Sequence, residues 1–277
     1  MKSSIVKLCK GFTPPFIWEF VRRLVVGERA KRVTYMGMFE SFSEVSDSFA
    51  ETTNYHSAQS ERNEVQDAQC KLDRFERGEV PEIGATLTRL NFLPTALSLW
   101  PQKSLNILDI GGGVGTTFID LQFSLPTKDV VVTVVELPSV AVAGREIFKQ
   151  YPKVRFTSSF PQDRKGYDVI YFGSSLQYFE NYIAVLQDSA ALEPEFVVIA
   201  DTTMGPAPAF VCAQVNMQDR VIPRMVFNRD ELIATLVQRN FHLVHQSINY
   251  SPSHTFDNYS FPARLTAHWN LIFRRNA

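Results

Sequence analysis

Five apolar runs recur between residues 105 and 201, and helical stretches separate them. The runs are "LNILDI" (105–110), "VVVTVVEL" (130–137), "VRFTS" (154–158), "YDVIYFG" (167–173) and "FVVIAD" (196–201). A strand covered on both faces reads as an unbroken apolar run, because neither face meets water. The intervening stretches, about 116–125, 140–151 and 181–191, carry apolar residues at helical spacing. Strands alternating with helices predict a parallel sheet with helices on both faces. The end of the chain breaks the rhythm. "FNRDELIATLVQRN" predicts a helix capped by Asn228 or Asp230, and two strands follow with only a loop between them. Such a pair, Phe241–Tyr250 and Leu265–Arg274, is expected to be antiparallel. The fold class is therefore α/β: a Rossmann-like parallel sheet completed by a C-terminal antiparallel hairpin.

Before this core lies a segment of another kind. Residues 57–77 are strongly polar, yet Val65, Ala68, Leu72 and Phe75 recur at three and four residues. That spacing puts them on one face of a helix. Gly78 and Pro81 end it, and a second helix from Ile83 to about Trp100 leads into the first strand. The expected division is an N-terminal helical segment, 1–81, and a core, 82–277. A single apolar face must pack on something. Part of residues 30–81 is therefore expected over the carboxyl edge of the sheet, as one wall of an acceptor pocket.

Charge is uneven at the very start. Residues 1–32 hold eight lysines and arginines against Glu19 and Glu28, interleaved with aromatic and aliphatic residues. "PPFIWEFVRRLV" reads as a proline-initiated helix. It either docks on the core or rests on an anionic membrane surface. Over the whole chain 28 Lys+Arg balance 29 Asp+Glu, so nothing favours nucleic acid as a partner. Cys9, Cys70 and Cys212 are scattered and odd in number, which argues against a disulfide framework or a zinc site; no metal is expected. No apolar stretch has the length of a membrane span, and the first residues do not read as a signal peptide. The expected compartment is the cytoplasm, with a peripheral membrane contact through residues 1–32 as an option. Oligomeric state is not legible.

"ILDIGGGVGTTF" (107–118) places four glycines within five residues, directly after an apolar strand that ends in Asp109. Holding glycines in place costs conformational entropy, so a loop this rich in them implies a ligand lying against its backbone. Ligands of open parallel sheets sit beyond the carboxyl ends of the strands. A nicotinamide dinucleotide would call for G-x-G-x-x-G/A. Neither Gly111 nor Gly113 begins a good match, since the sixth positions are Thr116 and Phe118. The spacing present, Asp109-x-Gly111-x-Gly113-x-Gly115, instead resembles the strand-one motif of class I methyltransferases, which bind S-adenosylmethionine. Glu136, at the end of the next run, suits the two ribose hydroxyls of either cofactor. The resemblance implies Asp109, Gly111, Gly113, Gly115 and Glu136 as cofactor residues. Ser158 and Ser174, at the ends of the third and fourth strands, complete the set.

Four segments carry a narrower resemblance: "MFESFSEVSDS", "ILDIGGGVGTTF", "YDVIYFGSSLQYFENY" and "FVCAQVNMQDRVIPRMVFNRDELIATLVQRNFHLV". From about residue 35 onward the chain is similar to a methyltransferase family associated with bacterial surface-polysaccharide gene clusters. This implies methyl transfer to a small-molecule or sugar acceptor. Segments after the fourth and fifth strands would face the transferred methyl group. Asp201 is the first candidate for a base, with Tyr178 or Gln177 orienting the acceptor; His254 and His268 are further bases. Two other readings stay open: a binding module that senses or scaffolds without transfer, and a dehydrogenase.

Overall fold

The computed structural model describes residues 34–49, 58–79, 88–98, 100–162, 166–215, 220–249, 256, 258–265 and 267–276. The basic stretch 1–32, the start of the second helix and His254 lie outside them. Packing divides the chain into Met1–Val33 and one compact unit, Thr34–Ala277. The boundary expected near residue 81 falls inside that second unit. No described helix is long and apolar enough to cross a membrane.

The apolar runs form strands β2 (Ser104–Ile110), β3 (Asp129–Val135), β4 (Val154–Thr157), β5 (Val169–Gly173) and β6 (Phe196–Thr202). With β10 (Phe241–Asn249) and β11 (His268–Arg275) they make a seven-stranded sheet of order β10-β11-β6-β5-β2-β3-β4. The pairs from β4 to β6 are parallel; β11 runs antiparallel to both β6 and β10. The C-terminal hairpin is thus present as expected, one residue shorter at the inner end of β10 and three at that of β11. From β2 the chain winds outward through β3 and β4, then returns to the other side of β2 through β5 and β6. The switch between the two directions lies at β2 and β5.

Alternation along each strand explains why the runs are unbroken. Leu105, Ile107, Val169, Tyr171, Val198 and Ala200 enter one core, while Leu108, Ile110, Ile170, Phe172, Val197 and Ile199 enter the other. The first core is closed by helices α3 (Thr88–Ser98), α4 (Thr117–Ser124) and α5 (Pro138–Ile147). The second is closed by α6 (Tyr182–Ala191) and α7 (Arg229–Val237). Helix α7 begins where Asn228 accepts the Glu231 N–H at 2.9 Å, with Asp230 and Glu231 in its first turn. Both the cap and the acidic turn satisfy and complement the exposed amides of a helix start.

A second sheet was not legible in the sequence. Strands β1 (Tyr35–Phe39), β8 (Phe210–Gln214), β9 (Ile222–Asn228) and β7 (Met204–Gly205) make a four-stranded sheet of order β1-β8-β9-β7. Residues 35–39 are therefore strand rather than helix, paired with residues 211–214. Val211, Ala213, Met225 and Phe227 pack this sheet onto the second core. Its other face, with Tyr35, Cys212 and Val226, meets Phe256, Tyr259, Ala263 and Leu265 from the β10–β11 connection. Helix α1 (Phe42–Ser48) lies beside β8 and β9.

Truncating a side chain shared by these layers should be costly. Phe172 is fully buried at the centre of the second core. Phe172→Ala is expected to lower unfolding free energy by about 3–5 kcal/mol in urea denaturation. A loss below about 1 kcal/mol would contradict the placement of β5 between two cores.

Candidate functional site

Strand β2 ends in the glycine loop, and strand β5 ends in the turn Ser174–Phe179, at the same edge of the sheet. The Gly111 N–H donates to the Val135 carbonyl at 2.9 Å, and the Ser174 N–H donates to the Ala200 carbonyl at 2.9 Å. The Ser175 hydroxyl donates to the Ile110 carbonyl and so ties the two loops together. A cleft of about 990 Å³ opens above them. That is the size of a small-molecule site, at the switch point where open α/β sheets bind ligands.

Glycine is required at specific points of the loop. Gly111 and Gly113 line the cleft with φ of +70° and +58°. A Cβ on Gly111 would lie 2.5 Å from Ser175 Cβ, and one on Gly113 2.4 Å from Glu64 Oε1. Gly112 has an ordinary φ, but a Cβ there would meet the Asp109 carboxylate at 2.4 Å. Gly115 does not line the cleft. Its role is packing, with a Cβ position 2.7 Å from Phe156.

Two of the expected acids line the cleft. Asp109 is buried at the floor of the cleft. Glu136, just past β3, accepts the Gly113 N–H at 3.1 Å and the Leu137 N–H at 2.8 Å. A carboxylate offers about four lone-pair sites. Two amides hold Glu136 in place and leave capacity for two ligand hydroxyls. Ser174, at φ +62°, also lines the cleft, whereas Ser158 is exposed in the turn after β4 and does not.

The expected acceptor residues separate in the same way. Tyr178 lines the cleft, and its hydroxyl donates to Gln214 Oε1 at 3.1 Å. Gln177 is fully buried behind the wall; its Nε2 donates to the Ser174 carbonyl at 2.6 Å and reaches Ser174 Oγ at 3.1 Å. It fixes the left-handed serine rather than meeting the cleft. Asp201 is also outside the lining. Its Oδ1 lies 2.9 Å from His268 Nδ1 and accepts the Asn249 Nδ2 at 2.9 Å. Two of the three expected bases therefore form one pair, joining the ends of β6, β11 and β10. Asp201 holds φ +53°, a conformation costing a non-glycine residue about 1–3 kcal/mol.

Helix α2 (Ala58–Glu76) forms the far wall. Ala68 packs on Val114 and Val140 with Val65 beside them, and Leu72 enters the first core. Glu61, Glu64, Asp67 and Lys71 then line the cleft. Lys71 also forms an ion pair with Asp120 of α4 at 2.6 Å. Sequence reasoning missed these polar residues. Their signal was a second helical stripe, 61-64-67-71, next to the apolar one. Arg220 and Ile222, at the start of β9, complete the opposite wall. The cleft thus holds five carboxylates (Glu61, Glu64, Asp67, Asp109, Glu136) against Lys71 and Arg220. Among the described residues no group of three His, Cys, Asp or Glu side chains is placed to hold a metal ion.

No family model matches the chain, and no curated protein matches it. Solved structures with a similar fold do exist. One is the Burkholderia thailandensis 1,6-didemethyltoxoflavin-N1-methyltransferase with 1,6-didemethyltoxoflavin and S-adenosylhomocysteine bound. It is 17% identical over 82% of this chain and 94% of that one, with a TM-score of 0.48. The CcbJ methyltransferase from Streptomyces caelestis is 14% identical over 70% and 97% of the two chains, also at 0.48. A Clostridium acetobutylicum S-adenosylmethionine-dependent methyltransferase is 12% identical over 74% and 96%, again at 0.48. At such identities only this chain's own residues decide what its cleft binds.

The Lys71–Asp120 pair should hold the α2 wall. Its side chains are only 25% and 11% exposed. A double-mutant cycle with Lys71→Met and Asp120→Asn is expected to show a coupling of about 1–2 kcal/mol in urea unfolding, above the level of fully exposed pairs. Additive single-mutant effects would show that the pair does not anchor the helix.

Proposed function

We propose that this chain is an S-adenosylmethionine-dependent methyltransferase acting on a small-molecule acceptor. The observation that carries the reading is a glycine cradle at the sheet's switch point whose charged lining residues are mostly acidic. A nicotinamide dinucleotide brings a diphosphate, which five carboxylates would repel. S-adenosylmethionine carries a net positive charge, which they attract. The glycine spacing points the same way. The solved methyltransferases of similar fold agree in kind, one of them with S-adenosylhomocysteine bound.

The residues present fit the cofactor. Gly111 and Gly113 would let it lie against the backbone, Asp109 would face its cationic methionine part, and Glu136 would take the ribose hydroxyls. When bound, the cofactor supplies an electrophilic methyl carbon. The chain's part is to align an acceptor against that carbon and keep water out. Helix α2 closes one side of the cleft. Tyr178, Phe179, Arg220 and Ile222 form the other, where an acceptor would lie. Tyr178 is held by Gln214 with its ring facing that side, and so serves to orient the acceptor. Asp201 and His268 would act one layer behind, through the shape of the wall. A glycan acceptor and a membrane-surface role for residues 1–32 rest on the family resemblance and on the basic sequence alone.

Calorimetry tests the cofactor directly. S-adenosylhomocysteine is expected to bind, and NAD is not. Glu136→Ala should weaken S-adenosylhomocysteine by about 1–3 kcal/mol, the loss of hydrogen bonds to a charged group. Gly112→Ala is informative because its backbone tolerates alanine. Any loss of affinity then reports displacement of Asp109. Unchanged affinity in both variants, or NAD binding in place of the sulfur nucleoside, would sink the assignment.

A further inference from the structure

Arg224 is a buried cation that none of the roles above explains. Its residue is 3% exposed. Nη1 donates to the Tyr35 hydroxyl at 2.8 Å and Nε to Thr203 Oγ1 at 3.3 Å, both neutral partners. Nη2 is buried with no hydrogen-bond partner among the described residues. The guanidinium lies over the Tyr35 ring, 5.0 Å from its centroid, and 5.8 Å from that of Tyr178. No carboxylate among the described residues pairs with it. A guanidinium stays protonated at any ordinary pH, so it cannot escape burial by losing its charge. The nearest carboxylate acting on it, Asp201, is taken up by His268 and Asn249. Burying a charge with no counter-ion in direct contact is expensive. An anion arriving from outside would remove that cost.

The strand geometry shows where it would arrive from. Ile222 and Arg224 are two residues apart on β9 and so share a face. Ile222 lines the cleft, and Arg224 is the next side chain inward on that face. Gln214 pairs with Ile222 across the sheet and holds the Tyr178 hydroxyl. Tyr178 thus stands between the open cleft and the guanidinium. Its hydroxyl bond to Gln214 joins two neutral groups. Arg220, which lines the cleft two residues before Ile222, makes the approach cationic. The cleft is therefore polarised: carboxylates crowd the glycine loop and α2, and guanidiniums gather at β9.

We propose that Arg224 is the anion-binding residue of the acceptor side, pairing with an oxyanion group of the acceptor, carboxylate or phosphate, when Tyr178 turns aside. This rests on the methyl-transfer reading of the cleft and narrows it to acidic acceptors. Tyr178 then has two positions, one covering the guanidinium and one admitting the acceptor.

The test uses the full chain saturated with S-adenosylhomocysteine, in chloride, acetate or inorganic phosphate at matched ionic strength. Relative to chloride, acetate or phosphate at tens of millimolar should raise the wild-type melting temperature by about 2–4 °C, the scale of a millimolar site. Arg224→Met should lose that increment and Arg224→Lys should keep most of it. Tyr178→Ala, which opens the path without touching the charge, should enlarge it and stands as the test if Arg224→Met fails to fold. Response to acetate alone assigns a carboxylate, and response to phosphate alone a phosphoryl group. An equal increment in wild type and Arg224→Met, an adventitious ion only, would overturn the proposal. So would an increment that Tyr178→Ala leaves unchanged. Titrating S-adenosylhomocysteine into the same samples separates the two readings. Failure to bind it sinks the methyl-transfer reading. Binding without an Arg224-dependent anion response sinks this one alone.

Discussion

The contact on which the cleft depends is the bond from the Ser175 hydroxyl to the Ile110 carbonyl. Strands β2 and β5 are neighbours in the sheet, yet the chain leaves them in opposite directions, toward β3 on one side and β6 on the other. Their terminal loops would be free to spread. Ser175 bridges them, and Gly111 lets the serine approach so closely that a Cβ there would lie 2.5 Å from Ser175 Cβ. The floor of the site is therefore one interlocked piece. Glu136 adds the third strand by gripping the Gly113 amide. Helix α2 completes the frame, held by Ala68 from within and by Lys71 from the rim. Its apolar face is narrow, which suits a wall resting on loops and helices rather than a core helix.

What was legible in the sequence follows the range of the interactions. The five apolar runs declared themselves because each strand is covered on both faces, which needs no knowledge of its neighbours. The apolar face of α2 was likewise local, written in Val65, Ala68, Leu72 and Phe75. The second sheet was not. Tyr35 pairs with Gln214 across most of the chain. Its strand is short, includes Gly37 at φ +72°, and exposes Met36 and Met38, so it lacks a strand's usual pattern. Strand β9 carries Pro223 and Arg224 inside an apolar run, which argues against a central strand until its partners are known. That Asp109, Gly111, Gly113 and Glu136 meet at one cleft was readable because each lies at or just past the end of a strand the apolar runs had marked. Asp201 and Gln177 are near the right edge of the sheet but turn away from the cleft. Side-chain direction after a strand depends on the local backbone, and both follow or occupy left-handed turns, at Ser174 and at Asp201 itself.

The near-zero charge of the whole chain conceals how the charge is arranged. Five carboxylates gather at the glycine loop and α2, while Arg220 lies just before β9 and Arg224 within it. On the methyl-transfer reading this separation has a consequence for turnover. The cofactor enters as a net cation and leaves as a neutral thioether once its methyl group is gone. Carboxylates around its methionine and ribose therefore favour the charged reactant over the spent product, and so favour exchange. The same carboxylates would slow the reaction if they surrounded the sulfonium itself, because binding that stabilises reactant charge more than the transition state raises the barrier. Asp109, Glu136 and the α2 acids frame the glycine loop, while Tyr178, Phe179 and Ile222 face the acceptor side. That placement gives cation selection at the loop and keeps the carboxylates away from the aromatic, Arg220-flanked surface where the methyl group would move.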